Sequence, residues 1–279
     1  MDKDKIVQQR LEGNSGPLQA EMDFAKYNKL VVCGCSISDR TQTKYAYGDY
    51  LSSSLGIEYL HLAGGAGSDK RGFRLLVQAI QSGEVDSKSL VLFQPSEVIR
   101  RELPSRISEE DFAEHIAGVE EKNMRLEGAA PIYDKTLTGQ LVARFKIDSC
   151  HWTKVDADRE MQLAIQERPG CLNYDYDAEM LSVYWYMLQG LCDSKGITLV
   201  LIEDNVRGWP SVINKHSDVI NSEWFNKTNW INIMDFMNDQ ERFTIYALDP
   251  PHDRVHFNEA GHIKVADELA KILKEKGIL

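Results

Sequence analysis

Short apolar runs alternate along the chain with longer segments of helical periodicity. Five of the runs are continuous, as expected for strands that are buried on both faces of a sheet. They are the segments Lys29–Cys35, Ile57–Ala63, Leu90–Phe93, Ile197–Ile202 and Trp230–Met234. Strands separated by helical segments are typical of βαβ units, so the pattern predicts an α/β fold built on a parallel sheet.

Three segments show the three- and four-residue spacing of amphipathic helices. Residues 70–81 and 177–192 are the first two, and both are apolar enough to pack against the sheet. The last helix has the clearest signals, because Asn258 can cap its first turn. Its apolar stripe consists of Ile263, Ala266, Leu269 and Ile272.

One long segment, residues 103–175, interrupts the alternation after the third strand. Excursions well beyond about 15 residues are usually functional or form a small subdomain. Its start reads as a helix capped by Ser108, and its middle, Pro131–Gly139, is rich in turn residues. We expect one domain over residues 1–279, with 103–175 as an insertion or lid within it; a subunit contact is the alternative.

Charge and composition restrict the classes of partner. The formal net charge of −11 disfavours binding to nucleic acid or to an anionic membrane surface. No apolar run approaches the roughly 20 residues that span a bilayer. The N-terminus lacks the apolar stretch of a signal peptide, and the five cysteines do not suggest a disulfide framework. These features favour a cytoplasmic protein.

Polar residues and glycines follow several of the predicted strands. In an open parallel sheet, ligands bind at the carboxyl ends of the strands. There the sequence places Ser36 after the first strand, a glycine-rich turn after the second and Gln94 after the third, while Asp253 and His256 follow the fifth. A hydroxyl, a base, an orienting carboxylate and backbone N–H donors are what hydrolysis by a serine nucleophile requires.

Two short blocks resemble motifs of the SGNH/GDSL hydrolases. Gly34-Cys35-Ser36 resembles the Gly-Asp-Ser motif that opens that family, and the block from Asp253 to His262 resembles its closing Asp-x-x-His motif. The resemblance implies a three-layer α/β/α fold with a five-stranded, parallel, flavodoxin-like sheet. It also implies a carboxylic ester hydrolase that uses neither metal nor cofactor.

The resemblance implies a role for each residue of the triad. Ser36 would be the nucleophile and His256 the general base. Asp253 would hold Nδ1 of the imidazole so that Nε2 faces Ser36. We expect both residues of the closing pair in a turn before the last helix.

The oxyanion hole follows the family pattern less closely. Cys35 replaces the aspartate beside the nucleophile. Besides the N–H of Ser36, we expect donors from Gly65 and Ser96. The alternatives to Gly65 are Gly64 and Gly67, and Gln94 competes with Ser96, which falls where the family has asparagine.

Other candidate residues have simpler interpretations. Asp249 and His252 repeat the Asp-x-x-His spacing, but two prolines separate them and no glycine and helix follow at the family distance. Cys33 and Cys35 are expected to be small core residues. His61 ends the second strand, and the sequence indicates no partner for it.

The substrate class remains broad at this stage. The resemblance implies an acyl or acetyl ester, with a carbohydrate among the candidate alcohols. Acyl transfer to a second alcohol would use the same residues, and a binding protein that keeps the fold without catalysis is a further alternative. A metal-dependent hydrolase using His252, Asp253 and His256 is the least favoured, because Pro250 and Pro251 oppose a helix there.

Overall fold

The computed structural model describes residues 26–35, 37–40, 42–64, 69–95, 100–104, 132–135, 141–146, 174–203, 229–249 and 253–279. Its central sheet has five strands that pair in parallel. They are β1 (Lys29–Cys33), β2 (Glu58–His61), β3 (Ser89–Phe93), β7 (Thr198–Glu203) and β8 (Asn229–Asn232). All five correspond to the apolar runs, so the predicted parallel sheet is confirmed.

The strand order of this sheet is β2-β1-β3-β7-β8. Counted along the chain among these five strands, that is the order 2-1-3-4-5 of flavodoxin-like folds. The direction in which strands are added reverses between β1 and β3. In such sheets the crevice at the reversal, outside the carboxyl ends of the strands, is where ligands bind.

Helices cover both faces of the sheet. One face packs against α1 (Tyr47–Leu55) and α5 (Glu259–Glu275), in a core that includes Leu30 and Leu92 of the sheet. The other face packs against α2 (Asp69–Gln81) and α3 (Tyr174–Lys195). Alternate residues of β1, β3 and β7 enter the two cores, which gives the predicted three layers. Among the described helices, none combines the length and apolar character needed to cross a bilayer.

Helix α1 is absent from the sequence prediction. It contains Gly48 and three serines, which are weak helix formers. A local bond supports its start, because the backbone N–H of Ala46 donates to the Asp49 carboxylate over 2.9 Å. Its C-terminus is closed by Gly56 at φ 66°, a left-handed conformation that suits glycine.

The chain departs from the prediction after β8. The fifth strand ends at Asn232 rather than Met234, and a short 3₁₀ helix occupies Ile233–Asp235. A helix, α4 (Asp239–Thr244), and a hairpin of β9 (Ala247–Asp249) and β10 (Asp253–Phe257) follow. Asp253 and His256 therefore lie on a strand, and the expectation of a turn is wrong. Strand β10 pairs with β9 at its two ends, Asp253 with Asp249 and Phe257 with Ala247, and the register shifts between them.

A second sheet begins just before the predicted insertion and continues into it. It consists of β4 (Arg100–Pro104), β5 (Ile132–Lys135) and β6 (Leu141–Lys146), antiparallel in the order β4-β6-β5. Of the segment predicted to be turn-rich, Pro131–Gly139, residues Ile132–Lys135 form strand β5, and residues 136–139 lie outside the described residues. The helix expected after Ser108 lies outside the described residues.

Candidate functional site

The ends of three central strands meet at the carboxyl edge of the sheet. The N–H of Gly64 donates to the carbonyl of Gly34 over 3.2 Å, and the N–H of Gln94 donates to the carbonyl of Cys33 over 2.9 Å. Hydrogen bonding between β1 and its two neighbours thus continues past the strands themselves. It brings Gly34, Gly64 and Gln94 side by side at the reversal in strand order.

The segment after β1 is held against this edge by Ser38. The N–H of Ser38 donates to the carbonyl of Cys35 over 3.1 Å, so the chain turns between these two residues. The Ser38 hydroxyl is fully buried; it hydrogen-bonds the Tyr47 hydroxyl at 2.8 Å and donates to Oε1 of Gln94. A Cβ on Gly34 would lie 2.8 Å from Ser38 Oγ, so glycine is required there. Ser36 itself lies outside the described residues.

Gln94 places a buried amide beneath the site. Its side chain is 1% exposed, and within the described part of the chain its Nε2 has no hydrogen-bond partner. Leaving a buried donor unsatisfied costs about 1–3 kcal/mol, and such groups call for an explanation in a native fold. From the sequence, Gln94 is one of two residues whose side chain was expected to donate a hydrogen bond to the oxyanion.

The N–H of Gly64, the described glycine after β2, already donates a hydrogen bond. Because the N–H of Gly64 is donated to Gly34, it is not available to an oxyanion. The other candidates, Gly65, Gly67 and Ser96, lie outside the described residues.

His256 and Asp253 sit on β10, directly before α5. The side chain of His256 is half-buried, while only the backbone of Asp253 is described, where it pairs with Asp249 of β9. Asn258 fixes the corner that follows. It caps α5 by accepting the N–H of Gly261 at 2.9 Å, as predicted. Its amide also donates to the carbonyls of Ile245 and Ala247, at 2.9 and 3.0 Å.

A buried histidine supports this region from within α5. His262 is 2% exposed, and its Nδ1 accepts the backbone N–H of Tyr47 at 3.2 Å. Burial, with a smaller contribution from the nearby charge of His256, lowers the pKa of His262 to about 3. His262 is consequently neutral at physiological pH, and it links the last helix to α1.

The structure also pairs His61, for which the sequence indicated no partner. Nε2 of His61 lies 2.8 Å from Oδ1 of Asp39, and Nδ1 lies 2.9 Å from the Tyr59 hydroxyl. The two paired residues are 22 positions apart in sequence. No short motif could have indicated this contact; the only signal was that both residues follow strand ends.

Arg40 connects this pair to helix α1. Its Nε and Nη2 donate to the two carboxylate oxygens of Asp49 at 3.0 and 2.5 Å. The guanidinium also lies over the Tyr59 ring, 5.1 Å from its centroid. The Asp49 bond raises the pKa of Arg40, so the cation is permanent.

The remaining candidate residues include an exposed carboxylate and two buried thiols. Asp249 is exposed at the end of β9, and His252 lies outside the described residues. Cys33 and Cys35 are buried, as expected for core residues. Within the described ranges, no three His, Cys, Asp or Glu side chains are grouped as a metal site would require.

Comparisons with known proteins give only distant similarities. No protein-family model matches the chain, and no curated protein matches it. One similar solved structure is an acetyl xylan esterase, with a TM-score of 0.47 and 12% identity over 88% of this chain and 99% of the other. Another, from Bacteroides fragilis NCTC 9343, is provisionally described as an acylhydrolase; its TM-score is 0.42, with 10% identity over 99% of both chains.

Proposed function

We propose that the protein is a serine hydrolase of the SGNH/GDSL type, which cleaves a carboxylic ester with Ser36, His256 and Asp253. The observation that carries the proposal is the meeting of Gly34, Gly64 and Gln94 at the reversal in strand order. That crevice is the expected ligand site of this fold class, and Ser36 belongs to the segment that leaves β1 there.

The proposed reaction proceeds through an acyl-enzyme. Oγ of Ser36 attacks the ester carbonyl while His256 accepts its proton, and the proton then passes to the departing alcohol. A water molecule, deprotonated by His256, releases the acid and restores Ser36. Asp253 would stabilise the imidazolium that forms in each half of the cycle. His262 is neutral, so it adds no positive charge that would repel this imidazolium.

The oxyanion would be held by N–H groups of Ser36 and Gly65 and by one side chain. Ser96 occupies the position of the family asparagine, but the buried Nε2 of Gln94 is a second candidate at the end of β3. Removing one such donor typically lowers kcat by about 10²–10³. Comparing Ser96→Ala with Gln94→Leu would therefore identify the donor, with Ser38→Ala as the control for the Ser38–Gln94 bond that Gln94→Leu also removes.

The substrate we propose is an acyl or acetyl ester, with carbohydrate esters as one class to test. We further propose a single domain in which residues 103–175, with the sheet of β4, β5 and β6, form a lid. The proposal is supported by the short sequence distance between the carboxyl end of β3, at Phe93, and β4, which begins at Arg100. Shortening the connection between β5 and β6, residues 136–140, should then change the relative rates for small and bulky esters.

A fluorophosphonate probe with peptide mapping tests the nucleophile directly. We expect one label, on Ser36, and none in Ser36→Ala. The same substitution should lower kcat for a short chromogenic ester by about 10⁴ or more. Ser38 is an internal control, because it lies two residues away and is fully buried. A label elsewhere, or less than a tenfold loss in folded Ser36→Ala, would reject the assignment.

A further inference from the structure

A chain of hydrogen bonds beside the proposed nucleophile has no role in the reaction as described above. We propose that His61 is a positioning residue, which holds the segment after β1 in its reactive conformation through Asp39. This inference rests on the proposed hydrolase function and concerns how its nucleophile is held.

His61 contacts the segment after β1 through the side chain of Asp39. The Asp39 side chain is largely buried, and its Oδ1 accepts two hydrogen bonds: Nε2–H of His61 at 2.8 Å and the backbone N–H of Arg40 at 2.8 Å. Asp39 directly follows Ser38, which turns the chain back onto Cys35. The described residues that follow Ser36 in sequence are therefore held by a carboxylate that hydrogen-bonds to His61 of β2.

Tyr59 fixes the tautomer and orientation of His61. In the neutral imidazole, Nε2 donates to Asp39 and Nδ1 accepts from the Tyr59 hydroxyl at 2.9 Å. Burial raises the pKa of Tyr59, so the phenol keeps the proton it donates. The series Tyr59–His61–Asp39 thus has one consistent set of donors and acceptors.

Helix α1 holds the far end of the series. A Cβ on Gly48 would lie 2.7 Å from Cζ of Tyr59, so the phenol packs directly on the helix backbone. Arg40 lies over the same ring and pairs with Asp49 in the first turn of α1. The segment from Ser38 to Arg40 is consequently fixed by β2, β3 and α1 together.

The same geometry argues against His61 as the general base. Both of its ring nitrogens are engaged, one with Asp39 and the other with Tyr59. A base must present a free nitrogen to the nucleophile's proton. A misplacement of about 1 Å can lower a rate by about 10², which is the scale on which a positioning residue acts.

The test uses variants that remove or keep the donor to Asp39. His61→Ala removes it, His61→Gln retains an N–H donor and a carbonyl acceptor, and Tyr59→Phe removes the hydroxyl alone. Tyr50→Phe is the matched control, because it deletes a tyrosine hydroxyl bond to Glu259 elsewhere on α1. The readouts are the rate of Ser36 labelling by a fluorophosphonate, kcat and KM for one ester, and the melting temperature.

We expect His61→Ala to slow labelling and kcat by roughly 10- to 100-fold with KM changed less than about threefold. His61→Gln should recover most of both rates, Tyr59→Phe should be intermediate, and Tyr50→Phe should match wild type. Wild-type rates in folded His61→Ala would overturn the proposal, as would equal losses in His61→Ala and His61→Gln. If the wild-type protein itself is not labelled at Ser36, the proposed function fails instead.

Discussion

The backbone N–H of Tyr47 donates to Nδ1 of His262, and this 3.2 Å bond joins the start of α1 to the last helix. Accepting that bond requires an unprotonated Nδ1, which agrees with the low pKa of about 3 that burial imposes. The state of one buried imidazole therefore affects how firmly two helices of the same layer are held together.

Acid should weaken the fold through His262. The unfolded chain binds a proton with a pKa near 6.5, whereas the folded chain does not until about pH 3. Stability should consequently fall as the pH drops below about 6.5, by up to roughly 1.4 kcal/mol per pH unit. His262→Asn retains an acceptor for Tyr47 without titrating. Urea unfolding at pH 7 and pH 5 should show a smaller pH dependence in this variant; parallel curves would contradict the assignment.

Removing the buried Ser38 hydroxyl should destabilise the fold more than removing the Tyr47 hydroxyl, which it contacts on α1. Ser38→Ala removes the bonds to both Tyr47 and Gln94, whereas Tyr47→Phe removes only one of them. Losing a buried hydrogen bond costs about 1 kcal/mol, and more when partners remain unsatisfied. Denaturant unfolding should therefore rank Ser38→Ala below Tyr47→Phe, and Tyr47→Phe below wild type. The reverse order of the two variants would show that Ser38 does not anchor the segment.

Two helical glycines should respond to alanine with opposite signs. In α1, the new Cβ of Gly48→Ala would collide with the half-buried Tyr59 ring. In α3, Gly190→Ala would meet no atom within 4 Å and should gain about 0.5–1 kcal/mol from helix propensity. Melting curves should show Gly48→Ala destabilised and Gly190→Ala stabilised. A neutral Gly48→Ala would mean that Tyr59 moves aside without cost.

Asn258 should contribute to both stability and catalysis. Asn258→Ala loses the helix cap, worth about 1 kcal/mol, together with the two bonds to the β9 side of the hairpin. Asn258→Ser keeps a capping oxygen but cannot make both hairpin bonds. We expect Asn258→Ser to recover part of the stability while kcat stays reduced, because His256 is two residues away. Full recovery of kcat would restrict Asn258 to capping.

The two Asp-x-x-His pairs can be separated by kinetics. His256 precedes a capped helix, so its backbone is well fixed, and we expect His256→Ala to lower kcat by about 10³–10⁶. His252→Ala should change KM more than kcat. The measurement is both constants on one ester, with circular dichroism as the check on folding. A collapsed kcat in His252→Ala alone would move the base to His252 and its carboxylate to Asp249.

Elements with a regular pattern of buried apolar residues were predictable from the sequence. Strands β1, β3 and β7 are continuous apolar runs because helices cover both of their faces, and α5 combines a regular stripe with a capping asparagine. Helix α1 escaped prediction because Gly48 and its serines weaken the local signal. Its stability comes instead from burying residues such as Tyr47 and Leu51 against the sheet.

The contacts around the site were less predictable because they join distant parts of the chain. His61 and Asp39 both stood at strand ends, but nothing in their spacing shows that β2 and the segment after β1 meet with those two side chains in register. Likewise, the engagement of the Gly64 N–H depends on how far pairing with β1 continues. The proposed triad was inferred from two short blocks, and Asp253 and His256 proved to belong to a hairpin.

The packing of α5 also affects how the chain folds while it is being synthesised on the ribosome. Leu30 in the first strand shares a core with Leu273 and Ile278, and Lys26 Nζ donates to the Ile278 carbonyl at 2.7 Å. This layer cannot close until residues near 278 have left the exit tunnel, however early β1, β2 and β3 are made. A nascent chain therefore exposes one apolar face of the sheet until that point, and chaperones that shield such surfaces should bind it co-translationally.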